Sequence, residues 1–194
     1  MNCLFVNDTK VFCFENGFYH QTLNKDFWHE RYLKVFKEVY IICRKVELPQ
    51  KLVGLIGRAN DENINFLPIN EYKIPSDYFM HHEKIKKKIL PLIREVDCVI
   101  VRLPSFLGYI AIDICYNLNK PILIELVACP WDILRNHSKI GKLLTYYSRY
   151  AAKKRIKNAP FVLYVTQDFL QKNYPTRGCS VSCSDVVINS FSEE

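Results

Sequence analysis

Two short apolar runs with a helical segment between them stand out along the chain of 194 residues. The runs 98–101 and 122–127 are rich in β-branched residues, which favours buried strands. Between them, apolar side chains recur at helical spacing from Phe106 to Leu118. A strand, a helix and a second strand in this order predict a βαβ unit in a parallel sheet that is covered on both faces.

The same alternation continues on both sides of this unit. Further strands are predicted at about 3–6, 38–43, 63–67, 161–165 and 181–188, and further helices at about 28–37, 77–96, 140–157 and 167–173. Asn16-Gly17 between two apolar runs predicts a hairpin after the first strand. Pro91 is expected to bend or interrupt its helix. The pattern therefore predicts one α/β domain over residues 1–194, a three-layer Rossmann-like fold with a mainly parallel sheet.

Composition adds the broad class. The chain is 49% hydrophobic and 24% charged, as expected of a globular protein. No apolar run approaches the roughly 20 residues that span a bilayer, and the first residues lack a secretion signal, so we expect a cytoplasmic location. The eight cysteines include no CxxC pair, and we interpret them as reduced core residues rather than disulfides or metal ligands. No metal site is predicted.

The net charge of +7 is confined to one segment. Residues 133–167 contain no acid, whereas the rest of the chain has 19 bases and 20 acids. The bases of the segment are Arg135, Lys139, Lys142, Arg149, Lys153, Lys154, Arg155 and Lys157. Such a surface attracts a phosphate-bearing ligand, a membrane or nucleic acid. A lysine-rich run at 84–88 has two interpretations, a nucleic-acid contact or the solvated face of a helix.

Over nearly its whole length the chain resembles the N-terminal half of bacterial glycosyltransferases of family 4. The resemblance is carried, in order, by RLPS, KPILIEL, PWD followed by NH, a basic helix, KNAPFVLYVTQDFLQKNYPTRG and SCSDVVI. Members of this family build capsular and other surface polysaccharides. They have a GT-B architecture, in which two Rossmann-like domains face each other across a cleft.

In that architecture the N-terminal domain mainly binds the acceptor and the C-terminal domain holds the nucleotide sugar. The resemblance therefore implies that this chain is the acceptor-side half, with the donor-binding domain absent and little activity alone. It implies no cofactor on this chain, because the nucleotide-sugar donor would be bound by the missing domain. The expected partners are a lipid-linked sugar acceptor, the anionic inner face of the plasma membrane, and a donor-binding domain or separate chain.

The resemblance also suggests two catalytic residues. His137 precedes the basic helix, where a family histidine meets the donor sugar, and neutral imidazole can orient a sugar hydroxyl. The alternative is a surface histidine without a role. Asp132 could bind an acceptor hydroxyl or assist its deprotonation, or it could simply cap the following helix.

Five further residues are predicted to bind substrate: Gly17, Arg102, Ser105, Glu125 and Trp131. Arg102 either contacts a phosphate or forms an ion pair with Glu125 on the adjacent strand. Trp131 either stacks on a sugar or packs in the interior. The chain departs from many relatives at Ala128 and Cys129, where a glycine and an acid are common, and it has Gly17 alone in place of a Gly-Gly pair.

The basic helix is predicted to face the membrane, through Lys139, Lys142, Arg149, Lys153, Lys154, Arg155 and Lys157. Three tyrosines, Tyr146, Tyr147 and Tyr150, lie among these bases. Each base near an anionic leaflet contributes about 1 kcal/mol. The alternative is that these bases are simply solvated on the outer face of a packed helix. Two other functions stay open, a non-catalytic recruiting subunit of a split glycosyltransferase and, with less support, a Rossmann-like nucleic-acid binder.

Overall fold

A computed structural model describes residues 1–47, 49, 55–74, 76–131 and 139–184, with the side chains of 139–143 left aside. Its strands are β1 (Asn2–Phe14), β2 (Gly17–Tyr19), β3 (Glu38–Glu47), β4 (Ile64–Pro68), β5 (Cys98–Leu103), β6 (Ile122–Leu126), β7 (Phe161–Tyr164) and β8 (Cys179–Ser182). They form one sheet in the order β4-β3-β1-β5-β6-β7-β8. Every pair along this path is parallel, while β2 is antiparallel to β1. The strand order reverses between β1 and β5, as in a Rossmann fold.

Helices cover both faces of the sheet. They are α1 (Lys25–Arg31), α2 (Asp77–Met80), α3 (His82–Glu95), α4 (Phe106–Leu118), α5 (Lys139–Ile156) and α6 (Phe169–Asn173). Alternate strand residues enter two separate cores, since Leu4 packs with α3, α4 and α5 while Phe5 packs against Trp28 of α1. This arrangement confirms the predicted three-layer, mainly parallel α/β fold.

The central helix α4 is fixed closely to the sheet. The Ser105 hydroxyl caps it by accepting from the Gly108 amide at 2.8 Å. Asn119 ends it in the left-handed conformation with φ of 52°. A Cβ on Gly108 would lie 2.6 Å from Cγ1 of Val101, so only glycine allows this close approach of α4 to β5. The N-terminus of α4 is thereby held at the carboxyl edge of the sheet.

The first strand is longer than predicted. It runs without interruption into the predicted hairpin, where Phe12 pairs with Tyr19 and Cys13 with Phe18. Its pairing with β3 shifts register between Val6 and Lys10. A β-bulge of this kind re-aims side chains at the end of a strand, and it is why the polar residues 7–9 look like a loop in the sequence.

Two further sequence expectations need correction. Pro91 lies inside α3 without interrupting it, and the break falls at His81 instead. The ring of Pro91 is on the exposed side, where water can reach the carbonyl that it leaves without an amide partner. All eight thiols are free, but Cys179 and Cys183 are exposed at the β8 end of the sheet rather than in the core. The second half of the predicted last strand lies outside the described residues.

Candidate functional site

Polar residues surround a pocket beside the bulge of β1 and just beyond the carboxyl ends of β5 and β6. We call it the carboxyl-edge pocket, and its volume is about 260 Å³. It is lined by Asn7, Asp8, Thr9, Arg44, Tyr72, Pro104, Ser105, Phe106, Pro130 and Ser148. Ligands of open α/β sheets bind at this edge, beside the point where the strand order reverses.

The carboxylate of Asp8 organises the pocket. Its Oδ1 accepts from the Ser105 hydroxyl at 2.7 Å and from the Leu107 amide at 3.0 Å. Its Oδ2 accepts from the Phe106 amide at 2.7 Å and from the Tyr72 hydroxyl at 2.9 Å. Four donors use the four acceptor positions of a carboxylate, and two of them are amides of the helix N-terminus. Asp8 therefore ties β1 to α4 and has no acceptor position left for a substrate proton.

Arg44 supplies the positive charge of this pocket. Its Nε donates to the Asp8 carbonyl oxygen, and Nη1 donates to the Lys73 carbonyl at 3.1 Å. Its guanidinium also lies 5.6 Å from the ring centre of Tyr72. Burial and then the charge of Asp8 raise the pKa of Tyr72, so its hydroxyl remains a donor. The Arg44 guanidinium is thus held at the pocket, where it can bind an anion or an oxygen-rich ligand.

A second polar cluster lies on the α1 face of the sheet. Arg102 and Glu125 are register partners on β5 and β6, and Nε lies 3.8 Å from Oε2. The Tyr32 hydroxyl donates to both oxygens of Glu125, at 2.8 and 3.1 Å. Burial and then the charge of Glu125 raise the pKa of Tyr32. The phenol ring of Tyr32 also lines an adjoining pocket of about 510 Å³.

This cluster confirms the ion pair that was one of two interpretations of Arg102. Arg102 is 9% exposed and Glu125 is 7% exposed, so the pair is buried. The substrate-binding roles of both residues stay predictions.

The other predicted substrate-binding residues are not brought together with this pair. Ser105 is buried in the carboxyl-edge pocket, with its hydroxyl committed to Asp8 and Gly108. Gly17 is buried in β2, where a Cβ would lie 2.7 Å from the Tyr19 ring. Trp131 is half-buried, and its ring lies 4.8 Å between ring centres from the exposed Tyr146 of α5, so it is not an interior residue and its sugar contact stays a prediction. The predicted catalytic residues Asp132 and His137 lie outside the described residues.

The basic helix α5 is partly as expected. Lys153, Lys154 and Lys157 are exposed, as are Tyr146 and Tyr150. Arg149 is half-buried, with its guanidinium 5.1 Å from the ring centre of Trp131. The side chains of Lys139 and Lys142 lie outside the described part of the chain.

Arg155 is a correction to the predicted membrane-facing set. Its Nε and Nη2 donate to Asp113 of α4 at 2.9 and 2.5 Å, and Nη1 donates to the Ala151 carbonyl. The guanidinium joins two helices, so its charge is neutralised by Asp113 instead of being free for a membrane. Among the described helices, none has the length and the apolar surface needed to cross a bilayer.

Sequence reasoning gave no role to Asp8, Arg44 or Tyr72. One signal was present, because Asn7-Asp8 directly follows the apolar run of the first strand, where an α/β site is expected. Arg44 and Tyr72 carry no such signal, since their meeting depends on the packing of β3 against the loop after β4.

Comparison with known proteins adds one relative. The chain is 34% identical over 179 residues to Protein CapJ of Staphylococcus aureus, in an alignment that covers 92% of this chain and 45% of CapJ. It therefore spans less than half the length of that relative. No family model matches the chain.

Two solved structures have a weak likeness to this fold. One is a UGT transferase from Siraitia grosvenorii in complex with UDP, with a TM-score of 0.48 and 11% identity over 89% of this chain and 46% of that one. The other is Arabidopsis thaliana UGT89C1 complexed with UDP-L-rhamnose, with a TM-score of 0.46 and 10% identity over 89% and 44%. At these values neither likeness assigns a function.

Proposed function

We propose that this chain is the acceptor-binding, membrane-facing half of a retaining glycosyltransferase. In this proposal a sugar passes from a nucleotide sugar to a hydroxyl of a lipid-linked glycan in surface polysaccharide synthesis. A donor-binding domain or separate chain completes the site. The carboxyl-edge pocket is the observation that supports the proposal best, because a guanidinium, hydroxyls and a side-chain amide converge there at the ligand-binding edge of the sheet.

Arg44 and Asp8 have roles that their surroundings permit, and the resemblance suggests roles for Asp132 and His137, which lie outside the described residues. Arg44 binds a phosphate or sugar oxygen of the acceptor, while Asp8 holds Ser105 and the start of α4 in place. Asp132 accepts the proton of the attacking acceptor hydroxyl as its oxygen bonds to the anomeric carbon and the nucleotide diphosphate departs. His137 orients the donor sugar. The length of CapJ, more than twice the span matched here, is compatible with a chain that works together with a second domain.

Acceptor binding tests the proposal without the donor half. The isolated chain is titrated with a sugar linked to a short, soluble polyprenyl diphosphate, and heat release gives the affinity. Arg44→Met is expected to weaken binding about tenfold, the loss of one charge-assisted hydrogen bond. Arg94→Met is the control, because it removes the same charge from the last turn of α3 at the opposite edge of the sheet. No binding by the wild-type chain, or equal binding by Arg44→Met, rejects the acceptor site.

The catalytic roles need the second half. The chain is mixed with a donor-binding half, and nucleotide release is followed with a lipid-linked acceptor. Asp132→Ala and His137→Ala are expected to abolish release while leaving the circular dichroism spectrum intact. Unchanged release in either variant removes that residue from the site.

A further inference from the structure

A second, separate pocket lies on the outer surface of the helical layer. It has a volume of about 380 Å³ and sits over α4 between α3 and α5. We call it the helix-layer groove. The residues that give it its chemistry are His82, Lys86, Asp113, Asn117, Lys154 and Arg155. None of them belongs to the carboxyl-edge pocket.

The groove is cationic despite its one acid. Asp113 is neutralised by Arg155, whose Nε and Nη2 both donate to it. Lys86 is half-buried on one wall and Lys154 is exposed on the other. Neither ammonium has an acidic partner among the described residues. By contrast, Lys84 and Lys88 on the same helix pair with Glu71, at 3.6 and 2.7 Å. The groove is therefore lined from α3 and from α5 by two lysines without an acidic partner among the described residues.

Apolar side chains project beside this groove. Phe79 and Met80 of α2 are 51% and 74% exposed, and in the chain they come just before His81 and the groove residue His82. The Phe79 ring packs on Tyr147 of α5 with 5.1 Å between centroids, and Tyr78 contacts His82 at 5.3 Å. The α2 turn is thus fixed against both helices that bound the groove.

Lysines next to exposed aliphatic and aromatic side chains match the chemistry of a membrane interface. Lysines lie at the level of the lipid phosphates, while apolar side chains enter the boundary of the acyl chains. Tyr150, 68% exposed one turn from Tyr147, adds an aromatic group of the kind enriched at this depth. A nucleic acid would use the same cations but gives no reason for an exposed methionine at the rim.

We propose that the helix-layer groove binds the phosphate of an anionic lipid headgroup through Lys86 and Lys154, while Phe79 and Met80 insert beside it. This rests on the proposed function, because a bilayer matters only if the acceptor is lipid-linked. The membrane contact then lies on a surface built from α2, α3 and α5 rather than on α5 alone.

Vesicle flotation tests the cationic part. The wild-type chain is expected to float with vesicles of phosphatidylcholine and phosphatidylglycerol, and not with phosphatidylcholine alone. The double variant Lys86→Gln/Lys154→Gln is expected to partition roughly thirtyfold more weakly. The control Lys34→Gln/Lys37→Gln removes the same charge from exposed positions after α1, on the other face of the sheet. If both double variants lose vesicle binding equally, the effect depends on net charge alone, and the groove is not the binding site.

Fluorescence tests the apolar part. On anionic vesicles, Met80→Trp is expected to show a blue-shifted component of tryptophan emission that the wild-type chain lacks. Brominated lipid is expected to quench this component. Val35→Trp is the control, because Val35 is 64% exposed next to α1. No shift for Met80→Trp, or the same shift for both variants, contradicts insertion at α2.

A parallel titration with a single-stranded oligonucleotide separates the rival partner. Oligonucleotide binding that depends on Lys86 and Lys154, without vesicle binding, would overturn the lipid assignment. The acceptor experiment can succeed in solution while flotation fails. That outcome rejects the groove and leaves the acceptor-binding part of the proposed function standing.

Discussion

Asp8 at the bulge of β1 and Glu125 near the carboxyl end of β6 are two carboxylates that are satisfied by different partners. Asp8 accepts from backbone amides and hydroxyls, all of them neutral. Glu125 pairs with the cation of Arg102 and accepts from Tyr32. Asp8 also borders an open pocket, whereas the Arg102–Glu125 pair is buried. The loss of each carboxylate should therefore cost a different amount, since one leaves neutral donors near water and the other leaves a buried charge.

The largest expected effect is at Glu125. Glu125→Ala should lower the free energy of unfolding by about 3 to 5 kcal/mol, because the Arg102 guanidinium loses its counter-charge in a buried site. Urea denaturation followed by circular dichroism measures it. Arg102→Met/Glu125→Met should recover most of the loss, since no charge is then left buried. Glu62→Ala, at an exposed position, is the control and should leave the urea midpoint unchanged.

A smaller effect is expected at Asp8. Asp8→Ala should cost about 2 kcal/mol in the same measurement, because the amides of Phe106 and Leu107 lose their acceptor but can be reached by water from the pocket. Asp168→Ala, which removes an exposed carboxylate paired with Lys172, is the matched control. A cost at Asp8 that exceeds the cost at Glu125 would contradict the distinction drawn between the two sites.

The smallest effect is a dependence on pH through the tyrosines. Tyr32 donates to Glu125 and Tyr72 donates to Asp8, and burial together with the neighbouring carboxylate raises the pKa of each. The unfolded chain then loses these protons first, near pH 10, while the folded chain keeps them. Stability is thus fully present below about pH 10 and falls as the pH rises further. Urea midpoints across this range should fall less steeply in Tyr32→Phe and Tyr72→Phe, and an unchanged slope in both would contradict these assignments.

Much of the fold could be predicted from sequence periodicity. The bounds of α4 match the predicted segment, and β5, β6 and β7 differ from theirs by a residue or two. These elements have strong apolar patterns, and pattern acts locally. The start of α6 was predicted less well, since the helix begins at Phe169 rather than Gln167, although the Thr166 hydroxyl still accepts from the Leu170 amide at 3.0 Å. Where pattern was weak, prediction failed, as at the bulge after Val6.

The candidate site was predicted only in part. Arg102 and Glu125 were predictable as partners because equal positions on adjacent parallel strands become neighbours. Arg44 and Tyr72 were not, because neither position has a local pattern that records the partner it meets. Arg155 was given a role that the structure does not support. Its place in a basic run suggested a lipid contact, whereas it pairs with Asp113 because α4 and α5 pack together.

By itself the sequence determined the order of strands and helices, the hairpin, the parallel sheet and the local excess of positive charge. Those properties depend on neighbours along the chain, and so they can be read from periodicity and composition. Two features follow only from the tertiary packing. One is which lysines of the basic segments line the helix-layer groove, and the other is that Asp8 accepts from the first amides of α4. Both depend on contacts between residues far apart in the chain, where hydrogen bonds and burial select the partners.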